Sequence, residues 1–264
     1  MTGIDRQNRT EEVEQLNKMG FIADMHTHTI ASTHAYSTIT ENAAWAAEHG
    51  IKYLGMTDHG ICMQDAPDTW HFENLKILPE LLKGVRVFKG IEANILDTDG
   101  SIDIPKNVSD IYYNILEWVN VSFHVQTFKP ATRAEHTKAY LNVLKNPYVD
   151  VICHSEASKY DYDFDEVIKA CGEYGRLIEI NECRLERGKA SQDRYRMILD
   201  RCAEYRTRII VNSDAHFYTH IGQFELAEAL LKDTRFPKEL IINNSEERFL
   251  GYIEERRKRT GKEK

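Results

Sequence analysis

Seven of the eleven histidines in this 264-residue chain stand at the ends of apolar runs, together with two carboxylates. His26 and His28 lie in Asp24-Met25-His26-Thr27-His28. Side chains two apart on an extended chain point to the same side, so this pair can hold one metal ion. His34 follows in Ala31-Ser32-Thr33-His34-Ala35-Tyr36-Ser37, and His59 in Thr57-Asp58-His59-Gly60. Then come Glu92 in Gly90-Ile91-Glu92-Ala93-Asn94, His124 after Phe123, His154 after Cys153, and Asp214 and His216 in Ser213-Asp214-Ala215-His216. Imidazoles and carboxylates suit zinc, manganese or iron, and the lack of a cysteine cluster argues against a structural thiolate site. Nine candidate ligands are too many for one tetrahedral ion and match three divalent ions if one carboxylate bridges. Glu92 is the natural bridge, because a carboxylate has two oxygens and a neutral imidazole one lone pair.

A cluster of such ions lowers the pKa of a bridging water and clamps the oxygens of a phosphate. The chemistry expected is hydrolysis of a small phosphate ester by a metal-bound hydroxide, with Glu92, Asp214 and His59 as the catalytic residues. No Gly-x-Ser-x-Gly or P-loop pattern supplies a different mechanism. A dianionic substrate needs cationic cover beyond the ions, and Arg184, Arg187 and Lys189 are candidates to grip it, arginine matching phosphate bidentately. The alternative for them is a solvated charged loop. His49, His71, His136 and His220 fall within or beside helices or loops; His71, in Asp68-Thr69-Trp70-His71-Phe72, is a further candidate for lining the substrate mouth.

The elements that must position these residues alternate. Strands are expected over 21–25, 51–56, from 85, and over 117–123, 149–153, 177–180 and 208–211. Helices are expected over 38–49, 73–82, 132–145, 164–174, 191–205, 221–231 and 246–256, with 65–72 a loop. Helix-separated strands imply a parallel sheet with right-handed crossovers. Short, continuous apolar strands fit a sheet covered on both faces. With every candidate ligand at a strand's C-terminal end, a closed or nearly closed barrel of seven strands fits better than an open sheet. Residues 1–20 read as an extension with a short helix from about Thr10, and 21–264 as one domain; the charged tail from Arg256 is expected to fray.

Composition narrows the partners. Lys plus Arg is 34 against 42 Asp plus Glu, a net charge of −8, which disfavours sequence-independent nucleic-acid binding. Five scattered cysteines without a CxxC suggest a reducing compartment. With no apolar signal core and no membrane-length apolar run, a cytoplasmic location is expected. Oligomeric state is left open.

The motifs quoted above, with Trp70-His71-Phe72, resemble those of the polymerase-and-histidinol-phosphatase (PHP) superfamily, most closely its bacterial trinuclear-zinc phosphatases. The resemblance spans about Phe21 to Tyr252. It implies a distorted seven-stranded (β/α) TIM-like barrel and phosphomonoester hydrolysis at three metals, zinc first among them. It also implies a ligand set: His26, His28, Glu92 and Asp214 for one metal, Glu92, His124 and His154 for the second, and His34, His59 and His216 for the third. The chain departs from the pattern at Ser155-Glu156-Ala157 and at Asn181-Glu182-Cys183-Arg184-Leu185-Glu186-Arg187, two segments expected to border the site and bear on substrate identity. Competing readings are a PHP-type phosphodiesterase or nuclease, a histidinol-phosphatase, and a non-catalytic metal-stabilised scaffold.

Overall fold

The computed structural model describes residues 19–64, 66–188 and 192–262; the helix expected from Thr10, and Lys189, lie outside them. Seven parallel strands make up the barrel: β1 (Ala23–Thr27), β2 (Tyr53–Met56), β4 (Val85–Asn94), β5 (Trp118–Ser122), β6 (Val151–Ile152), β7 (Leu177–Asn181) and β8 (Ile209–Asn212), neighbours in that order. A two-residue strand β3 (Leu81–Leu82) pairs antiparallel with the start of β4. The helices α1 (Ile39–Glu48), α4 (Arg133–Val143), α5 (Phe164–Glu173), α7 (Gln192–Tyr205), α8 (Glu225–Asp233) and α9 (Glu246–Arg259) follow the expected order. Thr38 and Thr132 start α1 and α4 with reciprocal capping boxes to Glu41 and Glu135.

The seam between β1 and β8 is made largely by side chains. Asn212 Oδ1 accepts from the Met25 amide at 2.9 Å, and Asn243 Nδ2 donates to the carbonyls of Ala23 and Val211. The carboxylate of Asp24 accepts the amides of Ser213 and Gly222. Only at its C-terminal end does a backbone bridge, Thr27 to Ala215, close the ring. Inside the lower barrel, Met25, Phe88, Trp118 and Ile210 pack on Phe249, Tyr252 and Ile253 of α9, which plugs the opening. A larger apolar layer fills the space between strands and outer helices.

Three expectations need correction: the helix over 73–82, the loop over 65–72 and the frayed tail. A helix over 73–82 does not form. α2 (Thr69–Asn74) begins inside the expected loop, capped by Asp68, and a 3-10 turn, Leu75–Ile77, leads to an extended Leu78. Pro79 is the reason: it lacks an N–H and forces the preceding residue out of the helical region. Two short helices, α3 (Ser109–Ile115) and α6 (Glu182–Glu186), have no long apolar periodicity to betray them. β4, expected from 85, runs through Asn94 and so contains Glu92. Finally, the tail does not fray at Arg256: α9 continues to Arg259 and is docked.

Asp150 explains the docking. It is fully buried and accepts from the Val119 amide at 2.9 Å, Arg256 Nε at 2.8 Å and an Arg259 terminal nitrogen at 2.7 Å. Breaking a buried ion pair by removing one partner strands the other charge, at a cost of about 3–5 kcal/mol. Asp150→Ala is therefore expected to lower unfolding free energy by about that amount, measured by urea denaturation of the metal-loaded protein, while leaving metal stoichiometry unchanged.

Candidate metal centre

The strand ends deliver the expected side chains to one place. Glu92, 1% exposed at the end of β4, is the hub. Its Oε2 lies 2.7 Å from His59 Nδ1, 3.4 Å from His26 Nε2 and 3.7 Å from His28 Nε2. Its Oε1 lies 2.8 Å from His154 Nε2 and 3.6 Å from His124 Nε2. Asp214 Oδ1 stands 3.2 Å from His28 Nε2 and 3.5 Å from His26 Nε2. The His216 ring is 4.3 Å from that of His28, and the more exposed His34 covers the group, its ring 4.4 Å from His216 and 5.1 Å from His59. All nine candidates therefore converge.

A second layer sets the direction of three rings. Glu179 Oε1 takes His26 Nδ1 at 2.7 Å, so Nε2 faces Glu92 and Asp214. Asn94 Oδ1 takes His124 Nδ1 at 2.8 Å, and the Asp214 carbonyl takes His216 Nδ1 at 2.9 Å. Asn181 bridges Glu179 and Asp214. Asn94 is itself gripped by Asp103, at 2.6 Å, and a Cβ on Gly60 would collide with that carboxylate. The loop carrying His59 therefore needs glycine there. Two candidate ligands hold the left-handed conformation, His154 at φ 32° and Asp214 at φ 55°. Non-glycine residues persist there only where surrounding structure over-determines them, commonly at functional sites.

The charges explain one another. Burial alone would raise the carboxyl of Glu92, but His26, His124 and His59 hold it well below its ordinary range. Burial likewise opposes ionisation of Asp214, and His26 and His28 more than offset it. Burial and the neighbouring His216 and His59 depress His28 to about 3, leaving its ring neutral. His26 behaves oppositely. Burial disfavours its charge, yet Glu179, Asp214 and Glu92 raise it well above the usual imidazole value. Glu179 sits at Nδ1, and Asp214 and Glu92 face Nε2. A divalent ion held at Nε2 would take the place of a proton there, the usual coupling of metal binding to deprotonation.

The donor set fits metal ions on two further counts. His26 Nε2 and Glu92 Oε2 are buried, 3.4 Å apart, and form no hydrogen bond among the described residues. Ligand atoms also come within 4.8 Å of one another in the sets His26–His28–Asp214, His28–His59–His216 and His59–Glu92–His124.

Of the candidates beyond the metal ligands, Arg184 and Arg187 line the cleft above the cluster, with Lys159. Glu156 Oε1 fixes Arg184 Nε at 2.8 Å. His71 does not reach this cleft. Its Nε2 turns instead to Asp58 Oδ2, 3.3 Å away, and it borders a separate apolar groove with Trp70 and Ile77. Asp58 in turn binds Thr29 and Ser32, fixing the loop between His28 and His34. Sequence reasoning missed Glu179 and Lys159. Glu179 had a signal, a carboxylate within the buried run Leu-Ile-Glu-Ile-Asn of β7; Lys159 had none.

The chain matches the PHP domain family over residues 24–254 and belongs to it. It is 42% identical over 241 residues to a probable phosphatase of Acetivibrio thermocellus, covering 91% of this chain and 98% of that protein. A probable phosphatase of Photobacterium profundum is 42% identical over 242 residues, covering 91% and 97%. Among solved structures, the Lactococcus lactis histidinol phosphate phosphatase shares the fold, with TM-score 0.55, 16% identity, and coverage of 81% of this chain and 94% of that one.

Since Glu179 orients His26 and holds the His154 amide at 2.8 Å, it supports the centre without heading it. Glu179→Gln should weaken metal affinity by about 10–100-fold, the usual effect of losing a ligand's supporting carboxylate. Competition with a chromophoric chelator reads the change, and circular dichroism confirms the fold.

Proposed function

We propose that this protein is a metal-dependent phosphatase acting on small phosphomonoesters. The observation that carries the reading is the Glu92 carboxylate within 3.7 Å of five imidazoles, at the base of a cleft of about 650 Å³. In this reading His26, His28, Glu92 and Asp214 hold one ion, Glu92, His124 and His154 a second, and His34, His59 and His216 a third. The ions, when bound, supply a nucleophilic hydroxide near neutral pH and neutralise the phosphate oxygens. Zinc is favoured; manganese and iron suit the same donors. The Lactococcus lactis relative in fold was crystallised with zinc, L-histidinol and phosphate.

The chain's own residues divide the remaining work. Glu179, Asn94 and the Asp214 carbonyl keep three rings aimed inward, so that no reorientation is needed when substrate binds. Arg184, steadied by Glu156, has no hydrogen bond from its terminal nitrogens to the described residues, which supports a role in gripping an anion. Arg187 and Lys159 stand on the same rim.

The rim also favours an anionic substrate over histidinol phosphate, whose amine is cationic. Among the described residues lining the cleft, the only carboxylates are Glu92 and Asp214, both committed to the cluster. A diesterase acting on nucleic acid is disfavoured by the net charge of −8. No helix of the described residues is long and apolar enough to cross a membrane.

Protein loaded with zinc or manganese should hydrolyse p-nitrophenyl phosphate, lose activity to chelator and carry about three ions per chain. His59→Ala should cut turnover by on the order of 10–100-fold while remaining folded. Cleavage of diesters or single-stranded DNA without monoester turnover would instead assign the diesterase reading. A metal-replete protein inert on all phosphate esters would assign a scaffold.

A further inference from the structure

The opposite end of the barrel carries a second cleft, of about 350 Å³, chemically unlike the first. It lies between the start of β4, the end of α3 and the last turns of α9. Six cations line it: Lys76, Arg86, Lys89, Arg256, Arg257 and Lys262. Two carboxylates, Glu80 and Glu117, share the lining, and Phe88, Ile115 and Ile253 give it an apolar wall.

Charge accounting separates the structural cations from the rest. Arg86 is 2.5 Å from Glu117 and 3.9 Å from Glu80, so it engages both acids of the cleft. Arg256 is committed to Asp150. Arg257 has a loose partner in Glu254 at 3.8 Å. Among the described residues, Lys262 Nζ reaches only the Leu116 carbonyl, at 3.0 Å. The ammonium groups of Lys76 and Lys89 meet no acceptor among the described residues. Among the described residues, Lys76, Lys89 and Lys262 therefore share one concavity with no ion pair of their own, its two carboxylates being engaged by Arg86, in a chain whose net charge is −8. Burial, and then Arg256, push Lys262 down to about 8, a penalty that a bound anion relieves.

We propose that this cleft binds a small anion bearing two or more phosphate charges, remote from the histidine cluster. Three ammonium groups and Arg257 suit phosphate oxygens rather than a single planar carboxylate. The wall of Phe88, Ile115 and Ile253 suits an organic moiety attached to them. The occupant ties the C-terminal helix to β4, the strand that delivers Glu92, so binding stabilises the plugged end of the barrel.

The test is calorimetric titration of the full metal-loaded chain with ADP and, separately, with pyrophosphate, beside the double variant Lys76→Glu/Lys89→Glu. Wild-type protein should show a binding event that weakens as salt rises, and the variant should lose it or bind at least about tenfold more weakly, a difference of about 1.4 kcal/mol. The arginine variant Lys76→Arg/Lys89→Arg should retain it. Metal content and unfolding temperature without ligand serve as controls for folding, so the outcome does not depend on which ester the metal centre cleaves. Tighter binding of ADP names an organic phosphate as the occupant, and equal or tighter binding of pyrophosphate an inorganic one. Unchanged affinity and stoichiometry in the Lys76→Glu/Lys89→Glu variant would overturn the proposal, since both ligands would then bind only at the metal centre.

Discussion

A buried carboxylate surrounded by imidazoles is the constraint on which this structure turns. Glu92 has almost no contact with water, and an isolated ionised carboxylate in such a place is costly. It remains ionised because His26, His59, His124 and His154 face it from four different strand ends. Each ring must arrive with the right nitrogen forward. That requirement explains Glu179 behind His26, Asn94 behind His124 and the left-handed backbone at His154 and Asp214. An arrangement so loaded with acceptors and neutral donors is stable folded only because rigid strands hold it, and it is suited to divalent cations.

The barrel separates that burden from the parts that stabilise it. The interior below the cluster is apolar and closed by α9, and the tail of α9 is anchored through Asp150. Polar groups dominate the upper end, where repulsion among like groups is concentrated. The seam between β1 and β8 lies between these regimes. Side-chain amides of Asn212 and Asn243 take over from the backbone ladder there, and a backbone bridge resumes just beside His28. Distortion of the barrel is thus local to the strands that carry the first pair of histidines and the Asp214–His216 motif.

The parts of the fold that could be read along the chain were those written in local periodicity. Apolar runs marked the seven parallel strands, and the helix starts expected at 38 and 132 coincide with the capping threonines Thr38 and Thr132. Where a local breaker was overlooked the reading failed, as at Pro79, which divides a supposed helix into α2, a 3-10 turn and β3. The tail beyond Arg256 reads as a charged, solvated end, because its partner Asp150 lies over a hundred residues away.

The candidate site shows the same division. Residue types and their positions at strand ends determined the nine candidate ligands, since a parallel barrel brings every strand's C-terminal end to one face. Only the tertiary structure decided which nitrogen of each ring points inward, that Glu179 backs His26, and that Lys159 joins Arg184 at the rim while His71 turns away to Asp58. Those contacts join residues far apart along the chain, and their geometry depends on loop paths that local periodicity does not encode.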